Sequence, residues 1–63
     1  MKHLITLHVE LDTEEAWALA QLMKRIGWSE CRALAQDVHE SGLMIEAIER
    51  VRAALAEAGC TPR

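Results

Sequence analysis

The residues of this 63-residue chain that could do chemistry are three histidines and two cysteines. None of them lies at the Cys-x-x-Cys or His-x-x-x-His spacing that metal sites use. His3 and His8 are an odd number of residues apart, so in an extended segment they point to opposite faces. No glycine-rich phosphate loop is present either. We therefore expect a non-enzyme that holds no metal and no cofactor.

Carboxylates are the second group of residues that could do chemistry. The candidate acidic surface consists of Glu10, Asp12, Glu14, Glu15, Glu46 and Glu49. Asp12 with Glu15 three residues later is typical of a capped helix start, where negative charge is favoured by the helix dipole. Glu46 can pair with Arg50 at the i to i+4 spacing. These carboxylates either cap and solvate helices or imitate phosphates in a basic groove of a partner.

Trp17 and Trp28 are the only aromatic residues. They lie 11 residues apart, about three helical turns, so along the line of the first helix both fall on the side away from its apolar stripe, with Trp28 beyond the helix end. Exposed tryptophans are favoured anchors of protein interfaces. The alternative is that a turn or another helix folds over them. On the first interpretation both are partner-binding residues.

One β-strand is predicted at about residues 3–11. Apolar and other residues alternate there with a period of two, so that one face turns towards the helices. That face consists of Ile5, Leu7, Val9 and Leu11. No second strand of this quality follows, so either the same strand of another copy or the loops and tail must cover its edges. The pattern predicts a homodimer through the N-terminal strand or a capped edge.

Helical periodicity predicts three α-helices, at about residues 13–26, 30–39 and 43–58. Gly27 is expected to end the first helix in a left-handed conformation, and Ser29 to cap the second. Ser41 and Gly42 are expected to separate the second helix from the third. The predicted fold class is α+β, one N-terminal strand followed by three α-helices, in a single compact domain over residues 1–63.

The overall composition limits the kinds of partner. The chain is 51% hydrophobic and 27% charged with a net charge of −3, which is typical of a folded globular protein. The negative balance gives no general attraction to nucleic acid or to an anionic membrane. No signal peptide and no apolar run of about 18 residues is found. We expect a cytoplasmic protein.

The order of a strand, a helix opened by "DTEE", a turn "GWS" and a helix "ECRALAQDVHE" resembles the ribbon-helix-helix family. The resemblance implies a strand-paired dimer that acts as a DNA-binding transcriptional regulator. Its DNA-binding residues would be Lys2, Thr6, His8, Lys24, Arg25 and Arg32. Glu10 would repel phosphates, and the third helix departs from the family pattern. Direct nucleic-acid binding is therefore the alternative and not the first prediction.

The segment "ITLHVELDTEEAWALAQLMKRIGWSECRALA", with the final amphipathic helix and "AGCTPR", is similar to small acidic proteins of phages and mobile elements. Among these, the chain resembles the anti-CRISPR inhibitors of type I systems. The resemblance implies a non-enzymatic protein in the cytoplasm of a bacterial host. Its partner would be a Cascade-type CRISPR ribonucleoprotein complex, whose access to target DNA it blocks. The resemblance transfers no functional residue.

Overall fold

The computed structural model describes residues 3–60, and this range contains three α-helices and no β-strand. The helices are α1 (Thr13–Arg25), α2 (Trp28–Leu34) and α3 (Val38–Glu57). Within the described range the fold is therefore all-α, and the predicted α+β class is wrong.

Residues 3–12 precede α1 and form neither a helix nor a strand. The backbone of residues 3–11 makes no hydrogen bond with any other described residue. A β-strand is stabilised by backbone hydrogen bonds to a neighbouring strand, and residues 3–60 of one copy supply no such neighbour. Ile5 and Leu7, predicted to face the helices, are 85% and 79% exposed. The alternation of apolar residues is present, but the predicted strand and its buried face are not.

Helix α1 begins at a reciprocal pair of side-chain caps. The backbone N–H of Glu15 donates to Asp12, and the backbone N–H of Asp12 donates to Glu15. The helix is one residue shorter than predicted, and Ile26 caps its C-terminus with an N–H bond to the Leu22 carbonyl. Gly27 is extended, with φ −136°, so the predicted left-handed terminator is wrong.

Helix α2 starts earlier and ends earlier than the predicted 30–39. The backbone N–H of Gly27 donates to the carboxylate of Glu30, 2.6 Å away. This contact places Gly27 at the N-cap in place of Ser29, which lies inside the helix. Because α2 has only seven residues, packing on α3 must stabilise it.

Helix α3 runs through Ser41 and Gly42, where the sequence predicted a break. Asp37 caps α3 by accepting from the backbone N–H of Glu40 at 2.8 Å. The hydroxyl of Ser41 donates to the Asp37 carbonyl at 3.2 Å, and Ser41 is 1% exposed. The cap and the burial of Ser41 outweigh the weak helix propensity of a serine–glycine pair. Helix α3 therefore starts five residues before the predicted 43–58.

Helices α1 and α2 each pack against α3, and the backbones of α1 and α2 do not approach one another closely. Each helix contributes one small, fully buried residue of the described range: Ala20, Cys31 and Ser41. The molecule measures 34 × 29 × 15 Å. The three helices thus form a flat domain that is about half as thick as it is wide.

Candidate functional site

The surface of the described range is unusually rich in large apolar side chains. Those exposed are Leu4, Ile5, Leu7, Val9, Leu11, Trp17, Leu22, Trp28, Leu34, Val38, Leu43 and Val51. Single exposed apolar residues are ordinary, but contiguous apolar patches on a protein surface mark interaction sites. The arrangement of these residues therefore determines which surface is the candidate site.

One group lines an open groove of about 560 Å³ between the N-terminal segment and helices α1 and α3. Leu7, Val9 and Leu11 form one side of the groove, and Leu19 and Met23 of α1 contribute to another. No charged residue lines this groove. Its volume is in the range of small-molecule pockets. The groove is open to solvent, however, and lacks the set of converging polar side chains that orient a small ligand. The apolar lining of the groove suits contact with an apolar protein surface.

The groove continues along α3 as an exposed row of apolar residues, which we call the α3 stripe. The stripe consists of Leu43, Ala47, Val51, Ala54 and Ala58. These residues follow one another at spacings of four, four, three and four, so they share one face of the helix. Val51, Ala54 and Ala58 also line the groove. The groove and the α3 stripe together are called the apolar face below.

The exposure of the α3 stripe could not be predicted from the sequence. The apolar periodicity of the third helix predicts a buried Val51, whereas Val51 is 38% exposed. Ala47, Ala54 and Ala58 received no role. Their spacing is visible in the sequence, but the same spacing is typical of a buried helix face. Only the tertiary structure distinguishes the two, because it leaves these alanines exposed.

The two tryptophans lie on different helices. Trp17 in α1 is 40% exposed, and Trp28, the first residue of α2, is 55% exposed. Neither lines the apolar groove. On the helix surface Glu14 precedes Trp17 at the i, i+3 spacing, and Arg32 follows Trp28 at the i, i+4 spacing. The backbones of α1 and α2 do not approach one another closely, so the two tryptophans belong to separate elements of the fold.

Several of the predicted acidic residues have structural partners. Asp12 and Glu15 cap α1, as described above. Glu49 accepts from Arg52 at 3.0 Å. Glu10 lies 3.7 Å from the Nε2 atom of His8, and both side chains are almost fully exposed. These four carboxylates are therefore helix caps or members of local pairs.

Glu14 and Glu46 remain as exposed carboxylates that have no hydrogen-bond or ion-pair partner among residues 3–60. The predicted pair of Glu46 with Arg50 is not formed within this range, and Glu49 pairs with Arg52 instead. The six carboxylates do not act as one set. Glu14, beside Trp17, is the member best placed to contact a partner.

The predicted DNA-binding residues lie on three different elements. Lys24 and Arg25 lie in the last turn of α1, where positive charge is stabilised by the helix dipole, and both are exposed. Arg32 is exposed on α2. Thr6 and His8 are exposed in the N-terminal segment, and Lys2 lies outside the described residues.

The described part of the chain holds no cluster of three or more histidine, cysteine or acidic side chains that could bind a metal ion. Cys31 is buried and Cys60 is half-buried, and both thiols are free. None of the helices in the described range has the length and apolar character needed to cross a membrane.

Comparison with known proteins places the chain in a family. A family model described as a family of unknown function (DUF7706) matches residues 1–63, and the chain belongs to this family. No curated protein and no solved structure matches the chain.

Proposed function

We propose that this member of the DUF7706 family is a non-enzymatic inhibitor that binds another protein or a ribonucleoprotein through Trp17 and Trp28. The observation that carries the proposal is the exposure of both aromatic side chains, 40% and 55%. Tryptophan is a large side chain that is usually mostly buried. Burial of such a residue at the centre of an interface commonly contributes about 2 kcal/mol or more to binding.

The charges beside the tryptophans suggest the character of the partner. Glu14 is the helical neighbour of Trp17 and has no partner among the described residues. A partner with a basic rim around an apolar pocket would pair with Glu14 while Trp17 fills the pocket. Complementary charges of this kind mainly increase the association rate and the specificity of a complex.

The specific target that we propose is a type I CRISPR surveillance complex. The support is the resemblance of the sequence to small acidic anti-CRISPR proteins. A complex that binds DNA has a basic channel, and an acidic protein seated there would compete with the target strand. Binding would require no chemical step.

The experiment is a competition assay with a purified type I surveillance complex loaded with its guide RNA. The protein should bind the complex and reduce its capture of a matching DNA duplex. Trp17→Ala should weaken binding about 30-fold if Trp17 is a central contact. Full DNA capture in the presence of a saturating excess of the protein would overturn the choice of target.

A matched pair of charge reversals tests the acidic contact. Glu14→Lys should weaken binding, whereas Glu57→Lys, at the far end of α3, should leave it unchanged. Both residues are exposed glutamates without an ion-pair partner among the described residues. Equal effects of the two reversals would show that only the net charge matters and would remove Glu14 from the proposed site.

DNA binding is the alternative function, and the exposure of Lys24, Arg25 and Arg32 favours it. Two observations weigh against it. The strand that a ribbon-helix-helix protein pairs is not formed in the described range, and the Gly27 amide of the "GWS" turn donates to Glu30 and is not available to a phosphate. A gel-shift assay at low salt with DNA from upstream of the gene decides this point. A shift that Arg25→Glu abolishes would favour the alternative.

A further inference from the structure

We infer that a second copy of this chain covers the apolar face, so that the functional form is a homodimer whose core is built from both copies. This inference does not depend on the proposed function, because Trp17 and Trp28 lie outside the apolar groove.

One copy exposes far more surface than a protein of its size should. A folded monomer of 7.1 kDa is expected to expose about 4,100 Å². This chain exposes 5577 Å², about 1,500 Å² more than that expectation. A standard interface covers about 800 Å² of each partner. The excess is therefore sufficient for a stable dimer.

The shape of one copy leads to the same inference. The radius of gyration is 12.7 Å, whereas a compact chain of this length has a value of about 11 Å. The smallest dimension is 15 Å. Domains bury their apolar faces between at least two packed layers of secondary structure. One copy is flat and leaves its apolar face uncovered, and a second copy would supply a layer over that face.

The absence of charge on the apolar face allows another copy of this chain to be its occupant. Each chain carries a net charge of −3, so two copies repel one another over most of their surfaces. The apolar face contains no charged residue, so this is where two copies can approach without like-charge repulsion. In a two-fold symmetric dimer the same patch meets itself, and a uniformly apolar patch is complementary to itself.

The α3 stripe determines how the two copies would pack against one another. Ala47, Ala54 and Ala58 have small side chains, which allow two helices to pack closely. Leu43 and Val51 on the same stripe provide the larger apolar contacts. The α3 helices of the two copies should therefore lie against one another near the two-fold axis, and each apolar groove should receive side chains of the other copy.

The test is sedimentation equilibrium of the full chain and of two matched variants. The wild-type protein should have twice the chain mass of 7.1 kDa. Ala54→Glu places a charge on the α3 stripe and should shift the mass to that of one chain. Ala53→Glu makes the same substitution at the next exposed position, on another face of α3, and should remain dimeric. Arg50, four residues before Ala54, can pair with the new glutamate, so loss of the dimer would not reflect a weaker helix.

Thermal unfolding of the wild-type protein tests for the dimer even if Ala54→Glu does not fold. Because two copies associate in the native state, the Tm of the wild-type protein should rise with protein concentration. A wild-type protein with the mass of one chain and a Tm independent of concentration would overturn the inference. A dimer that survives both substitutions would also overturn it, because the interface would then lie elsewhere. Trp17→Ala should leave the dimer intact, which separates this test from that of the proposed function.

Discussion

Asp12 and Glu15 cap the start of α1 reciprocally. The backbone N–H of Glu15 donates to Asp12 at 2.7 Å, and the backbone N–H of Asp12 donates to Glu15 at 3.1 Å. Each carboxylate satisfies an amide that the helix itself leaves without a partner. Substitutions of Asp12 or Glu15 therefore change the stability of α1 as well as any contact with a partner. Glu14 caps no amide, so it is the better probe of a binding role.

Removal of this cap should destabilise the protein. Asp12→Ala is expected to lower the free energy of unfolding by about 1 kcal/mol, because the amide of Glu15 loses its acceptor. The measurement is urea unfolding followed by circular dichroism at a fixed protein concentration. Glu14→Ala is the control, and its effect should be smaller because Glu14 caps no amide. Equal losses in the two variants would indicate a general charge effect.

Gly59 should tolerate no side chain without a loss of stability. Its φ of +91° lies in the left-handed region, which residues with a Cβ rarely adopt. Gly59→Ala should lower the free energy of unfolding by about 1 kcal/mol, even though a Cβ at this position would meet nothing within 4 Å. Chemical denaturation gives the value, and an unchanged midpoint would contradict the prediction.

Gly42 should respond in the opposite direction to the same substitution. It lies inside α3, and a Cβ there would also meet nothing within 4 Å. Gly42→Ala should raise the free energy of unfolding by about 0.5–1 kcal/mol, because alanine has the higher helix propensity. Destabilisation would mean that α3 does not run through Gly42 in solution, so this variant also tests the boundary between α2 and α3.

The two tryptophans should report their exposure directly. Trp17→Phe and Trp28→Phe each leave one tryptophan as the only strong fluorophore of the chain. Acrylamide should quench both, and Trp28 more efficiently, since it is 55% exposed against 40% for Trp17. Protection of either residue in the free protein would show that another surface already covers it and would remove it from the proposed binding site.

Elements stabilised by local interactions could be predicted from the sequence. The start of α1 follows from Asp12 and Glu15, because a cap and its amide lie within one turn of each other. The apolar periodicity of the third helix also predicted its existence, although not its first residue. The candidate tryptophans were identifiable from composition and spacing alone, and the structure gives their exposure.

The tertiary structure alone decided the features that depend on contacts between residues distant in the sequence. An alternating segment becomes a strand only when a neighbour accepts its hydrogen bonds, and the described chain offers none to residues 3–11. Ser41 and Gly42 have weak helix propensity, yet the cap at Asp37 and the burial of Ser41 keep them in α3.

The spacing of apolar residues on α3 is the same for a buried face and for an exposed one. Only the positions of α1 and α2 determine that Val51 and its neighbours face outward, because burial depends on the packing of all three helices.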